Sequence, residues 1–218
     1  MIDWIITNRN HNNSPWQGDR IHPTPSNSLM DSKRSHPISP ILILITPYTK
    51  NQSHPMSETR LLKQLPAQLI SPENFQPYGQ VIYASSDGKH YDSTDAQLLL
   101  NNGIPRFYIM RLTERGRKFH KITRHVKCTQ CLGSLEGKEW LIAVAPPSEA
   151  PAPKLEEISA FRIPGNCFIK LEVGTWHAGP YFDGEFVDFY NLELSDTNIT
   201  DHDTYNFLQN QNLELEIV

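Results

Sequence analysis

Arg124-His125-Val126-Lys127-Cys128-Thr129-Gln130-Cys131-Leu132 leads through Leu135-Glu136-Gly137-Lys138-Glu139-Trp140 into Leu141-Ile142-Ala143-Val144-Ala145-Pro146-Pro147. Polar groups capable of acid/base chemistry stand just before a turn and an apolar run of buried-strand length, so a reactive side chain here would sit on a rigid element. If the chain is extended from Lys127, alternation sends Thr129, Cys131 and Gly133 to one face and Cys128, Gln130 and Leu132 to the other. Gln130 is then an amide on an otherwise buried face. Buried amides need partners, here either a neighbouring strand or a ligand.

Outward from this stretch the segments stay short and strand-like: Gln80-Val81-Ile82-Tyr83, Arg106 to Leu112, Lys118 to Ile122, Thr129 to Leu135, Trp140 to Ala145, Ile158 to Ile163, Cys167 to Glu172 and Phe186 to Leu194. Gly116, Pro164-Gly165, Gly174 and Asp183-Gly184 punctuate them. Many short strands between Gly/Pro turns predict an all-β sandwich or barrel. One helical turn is expected at Ser71-Pro72-Glu73-Asn74-Phe75, with Ser71 as N-cap and Pro72 in the first helical position. A second is expected around Lys154 to Ile158.

Residues 1–55 read differently, being rich in Asn, Ser, Pro and His and lacking any sustained period. They are expected to be a disordered or non-native extension, with Met56 as the native start and residues 56–218 as the folded domain. Within the extension, Ile41-Leu42-Ile43-Leu44-Ile45 is too short to span a bilayer and lacks the layout of a secretory signal.

The 218 residues are enough for one substantial core, and the formal net charge of −4 gives no basic footprint for nucleic acid. Three cysteines, Cys128, Cys131 and Cys167, are too few and odd in number for a disulfide framework, which points to a reducing, cytoplasmic setting. Cys128 and Cys131 form a Cys-x-x-Cys, but a strand rather than a helix is expected after it, so it reads as incidental. Zinc completed by His120 or His125 is the alternative.

His125, with Arg124 beside it, and His177, in Gly174-Thr175-Trp176-His177, are candidates for proton transfer or metal ligation from two hairpins of one sheet. Trp176 would supply a rigid wall. Arg111, ending an apolar strand, has a guanidinium suited to a carboxylate, or else points to solvent. His120 and His202 read as surface residues.

These pieces together resemble the ureidoglycolate lyase family, a small cupin-like group, over Leu65 to about Asp196. The resemblance is carried by Ser71 to Ile82, Asn102-Gly103 before the Arg106-Phe107 strand, Arg111, Arg124-His125 with Thr129-Gln130, Gly137 before Ala143-Val144-Ala145-Pro146-Pro147, Gly174-Thr175-Trp176-His177, and Asp188-Phe189. It implies a cupin-like β-barrel or jelly roll with one or two short helices, and cleavage of ureidoglycolate, a small ureido carboxylate, to glyoxylate and urea. It further implies His125, His177 and Arg111 as catalytic, Gln130, Asn102 and Trp176 as substrate-binding, and a homodimer without nucleic-acid or membrane partners. Members are also reported with divalent metal, so the cofactor is left unknown. The chain departs from the family pattern at Val126, Leu132, Ser134, Val173 and Ala178; a second histidine is usual where Ala178 stands. The competing class is a cupin module that binds a small carboxylate or sugar-like ligand without turning it over, or a metal-dependent cupin enzyme of other specificity.

Overall fold

The computed structural model describes residues 59–218; the expectations for residues 1–55 lie outside them. In chain order the elements are β1 (Leu61–Leu65), β2 (Ala67–Leu69), α1 (Pro72–Phe75), β3 (Gly79–Tyr83), β4 (Pro105–Thr113), β5 (Lys118–Phe119), β6 (Lys121–Arg124), β7 (Gln130–Ser134) and β8 (Trp140–Ala145). After a 3₁₀ turn at Leu155–Glu157 come β9 (Ser159–Ile163), β10 (Cys167–Leu171), β11 (Trp176–Tyr181), β12 (Phe186–Leu194), α2 (Thr197–Thr200), β13 (Asp203–Asn206), α3 (Phe207–Gln211) and β14 (Leu213–Ile217). The fold is all-β, as the pattern predicts.

The strands form a five-stranded sheet (β3-β10-β7-β12-β4), a six-stranded sheet (β13-β6-β11-β8-β9-β2) and a three-stranded sheet (β1-β14-β5). Period-two alternation decides what lies between them. Along β8, Trp140, Ile142 and Val144 join one core with Leu132, Ile169 and Phe189 of the five-stranded sheet. Leu141, Ala143 and Ala145 join a second core with Leu213, Leu215 and Ile217 of β14. Every residue of β8 is buried, which explains why the run is continuously apolar rather than alternating.

α1 closes one end of the first core. Ser71 accepts from the Asn74 amide and the Asn74 side chain accepts from the Ser71 amide, a reciprocal cap. Phe75, fully buried, then packs against Tyr78 and edge-on to Phe161 at 5.2 Å. Gly79 follows because a Cβ there would collide with the Lys170 carbonyl of the neighbouring strand.

Three differences from expectation have physical causes. Among the described residues there are three short helices and a 3₁₀ turn rather than one or two helices; α2 and α3 are only 4 and 5 residues long, below the length at which a helical period shows. Trp176 to Tyr181 is a full strand although it contains Gly179 and Pro180; its register slips between Ala178 and Tyr181, where the strand reads as a break. β1 and β14 pair in parallel from opposite ends of the domain, which no local pattern signals.

Phe75→Ala should lower unfolding free energy by about 3–5 kcal/mol, the range for emptying a buried aromatic site. Urea denaturation followed by tryptophan fluorescence would measure it.

Candidate active site

A cavity of about 530 Å³ opens between the five- and six-stranded sheets. Inward-facing positions of β4 (Tyr108, Met110, Leu112), β7 (Gln130, Leu132) and β12 (Asn191, Glu193) line one wall. Lys121, Thr123, His125 and His177 line the other, and Arg115, His202 and Thr204 complete the boundary.

His125 and His177 meet here, with ring centroids 5.0 Å apart, and His202 lies 5.8 Å from His125. Each of the first two rings is tethered at Nδ1 to a backbone carbonyl: His125 to that of Asp201, His177 to that of Thr175 at 3.2 Å. A carbonyl only accepts, so Nδ1–H donates in both rings and each Nε2 keeps its lone pair. Burial lowers the His125 pKa, opposed by the Asp201 carbonyl and carboxylate and by Glu193. His177 keeps an edge towards the cavity, yet burial, helped by His125, pushes it down to about 3. Both imidazoles are therefore neutral bases near pH 7.

Asp201 holds this arrangement. Its carboxylate accepts the amides of Val126 at 2.8 Å and Lys127 at 2.9 Å, while its carbonyl takes the His125 ring. The residue is 4% exposed. The segment after α2 thus positions the segment after β6, which explains why His125 is fixed although it lies in a loop.

Gln130 faces the cavity as alternation predicts, donating from Nε2 to Asn191 at 3.2 Å and to Glu193 at 3.0 Å. Arg111 does not. On β4, Tyr108, Met110 and Leu112 point inward, so Arg111 lies on the outer face, in a bidentate pair with Asp188 at 2.8 Å through both Nε and Nη2. Its expected role as carboxylate ligand in the cavity is corrected on that ground. Trp176 is likewise set on the face opposite His177: it is fully buried in the second core, with Arg124 over its ring at 4.3 Å. Asn102 is exposed and donates to the Lys127 carbonyl at 2.7 Å, supporting the His125 loop from outside.

The cations that do line the cavity are Arg115 and Lys121, both exposed and neither in an ion pair among the described residues. Arg115 escapes sequence reading because Thr113-Glu114-Arg115-Gly116-Arg117-Lys118 is a charged turn in which every residue looks solvated. Glu193 escapes for the opposite reason: in Asn191-Leu192-Glu193-Leu194 it reads as the polar side of an exposed strand. Only knowledge that both sheets bury their facing surfaces would single it out.

For a metal the fit is poor. Among the described residues no group of three or more His, Cys, Asp or Glu side chains converges as a ligand set; the Nδ1 tethers leave the Nε2 atoms of His125 and His177 open, which makes two nitrogen donors and no third. Cys128 is buried beside Thr197, and burial pushes Cys131 up to about 11, so neither is a ready thiolate.

A family model described as ureidoglycolate lyase matches residues 62–215, the whole of the two-sheet barrel that encloses this cavity. The chain belongs to the ureidoglycolate lyase family. Comparison with curated proteins gives no match. Among solved structures, a Bacillus subtilis oxalate decarboxylase described for its Mn(II) centres is similar at 12% identity and a TM-score of 0.33, covering 61% of this chain and 29% of that one. A second oxalate decarboxylase structure, described for its substrate binding mode and a reaction specificity switch, matches with the same figures. Ala178 borders the cavity, and its side chain packs with Trp176 and Ala143 in the second core.

Asp201→Ala would leave the Val126 and Lys127 amides unmatched while keeping the main-chain carbonyl that accepts from His125. It should cost about 1.5–3 kcal/mol, as for hydrogen bonds to a charged group, and loosen the loop that carries the His125 ring. Thermal unfolding together with the imidazole NMR signal of His125 would report both.

Proposed function

We propose that this ureidoglycolate lyase family protein cleaves ureidoglycolate to glyoxylate and urea in the cavity between its two larger sheets. The observation that carries the reading is the pair of neutral imidazoles, ring centroids 5.0 Å apart, with both Nδ1 atoms committed to carbonyls. The reaction needs a base on the carbinol hydroxyl. As an Nε2 lone pair of His125 or His177 takes that proton, the electrons of the O–H bond form the aldehyde carbonyl and those of the carbon–nitrogen bond leave with the urea nitrogen. The imidazolium then returns the proton to that nitrogen, so no atom or charge is left over. A single histidine can both take and return it.

The substrate carboxylate is assigned to Arg115 and Lys121 in place of Arg111, because they are the cations on the cavity wall without an ion pair among the described residues. Glyoxylate and urea are both small enough for the cavity, and no further cofactor is needed for the proton economy.

Two further properties belong to this reading. The outer face of the five-stranded sheet exposes Phe107, Ile109 and Phe186 around the Arg111–Asp188 pair, which supports a homodimer through that face. A cytoplasmic setting is supported by the sparse free cysteines. No helix among the described residues is long and apolar enough to cross a membrane.

Release of urea and glyoxylate from ureidoglycolate by the purified chain tests the activity, and His177→Ala should lower kcat by at least about 100-fold, the scale of general-base catalysis. Because both folded-state histidine pKa values are lowered, the base form persists below the ordinary histidine range. kcat/KM should stay level from pH 7.5 to about pH 6 and fall only in more acidic buffer; a fall centred near pH 6.5 would contradict the assignment. Light scattering should give twice the 25.0 kDa chain mass, and Ile109→Asp should give the single-chain mass.

A further inference from the structure

Among the described residues two acidic side chains are buried, Asp201 and Glu193. Asp201 spends its carboxylate on the Val126 and Lys127 amides. Glu193, 1% exposed on β12, is the one acidic residue among those described that lines the cavity, and the proton transfer does not pass through it. Its contacts all donate: the Tyr108 hydroxyl to Oε1 at 3.2 Å, Asn198 Nδ2 to Oε1 at 3.1 Å, and Gln130 Nε2 to Oε2 at 3.0 Å. Tyr108 itself accepts from Asn191 Nδ2 at 3.0 Å, so its proton is free for Glu193. Arg106, opposite Glu193 in the β12–β4 register, lies instead over the Tyr108 ring at 3.6 Å, and Glu193 has no ion-pair cation among the described residues. Neutral dipoles thus satisfy the lone pairs of the carboxylate while nothing cancels its charge.

The two imidazoles stand on the facing wall. Burial lowers the His125 pKa, and the carboxylates of Asp201 and Glu193 oppose that fall, so the field of Glu193 reaches the ring. The other titratable groups around His125 act in the opposite sense. His177 and His202 are the neighbouring rings, and Lys121 and Arg115 are exposed cations on the cavity boundary. Only the two carboxylates favour a positive charge on His125, and of these Glu193 alone lines the space in which the reaction takes place. A charge already fixed by three donors in an enclosed site acts without reorganising when an opposite charge appears beside it.

We propose that Glu193 is a positioning residue for the lyase reaction, a fixed countercharge that stabilises the imidazolium formed when the histidine pair takes the carbinol proton. It touches neither the substrate nor the transferred proton and acts through the His125 ring. At rest both rings are neutral and Glu193 has no cation to attract. The attraction appears only as the proton arrives, so it is stronger in the transition state than in the bound substrate complex, which is the condition for raising kcat. Enclosure thus keeps the resting base free of protons, and Glu193 lowers the cost of the charged form through which the reaction passes. This deepens the lyase reading and rests on it for the step in which the cation forms.

The test is an NMR pH titration of the His125 ring in the full chain, wild type and Glu193→Gln, beside urea release from ureidoglycolate. Loss of the negative charge should lower the His125 pKa by about 1 pH unit, the lower end of what a nearby opposite charge contributes. kcat should fall about tenfold, the rate equivalent of that change, while KM does not rise. Glu193→Asp keeps the charge and should return the His125 pKa most of the way to the wild-type value. Glu193→Met with Gln130→Met removes the charge together with its most buried donor, is read by the titration alone, and serves if Glu193→Gln does not fold. A His125 pKa that is unchanged or raised in either folded charge-free protein overturns the proposal, because a purely structural loss would open the site and move it upwards. An unchanged kcat in Glu193→Gln overturns it as well. A wild type that shows the coupling of His125 to Glu193 yet releases no urea would remove the lyase reading while supporting Glu193 as the countercharge of that ring.

Discussion

Everything in the domain hangs on β8 having water on neither face. Trp140, Ile142 and Val144 interlock with the five-stranded sheet, and Leu141, Ala143 and Ala145 with the layer that includes β14. A strand buried on both sides fixes the register of its neighbours, because a slip of one residue would exchange the two cores. β11 pairs directly with β8, His177 opposite Val144, so the position of one cavity imidazole is inherited from packing. His177 stands on the first-core side because Val144 does.

The chemistry then follows from enclosure rather than from charge. Neither histidine has a carboxylate partner; each donates to a main-chain carbonyl and loses its tendency to protonate through burial. That is a different solution from the carboxylate-oriented imidazole of a catalytic triad. Here both rings are neutral because the barrel disfavours the cation.

The strand pattern was legible because β4, β8 and β12 alternate or run apolar over five or more residues, and the Ser71 cap declares itself in four letters. His125, His177 and Gln130 were legible as cavity residues through alternation and family resemblance. Arg111 and Trp176 were misplaced for one shared reason: each neighbours an inward residue in sequence, and in a strand the neighbour points the other way. Asn102 was a turn residue whose partner, the Lys127 carbonyl, no local signal names. Glu193, Arg115 and Asp201 required knowledge of which sheets face each other, and that is set by pairings far apart along the chain.

One such pairing has a consequence for how the protein is made. β1 and β14 lie side by side, with Gln64 and Glu216 in contact across 152 positions, and the second core contains residues from both β1 and β14. A chain emerging from the ribosome can assemble the cavity strands early, but the reverse face of β8 stays uncovered until β14 appears. During that interval the apolar side built from Leu141, Ala143 and Ala145 is open to other chains. The speed with which the final strand is delivered, rather than the stability of the finished barrel, would then govern the yield of soluble protein.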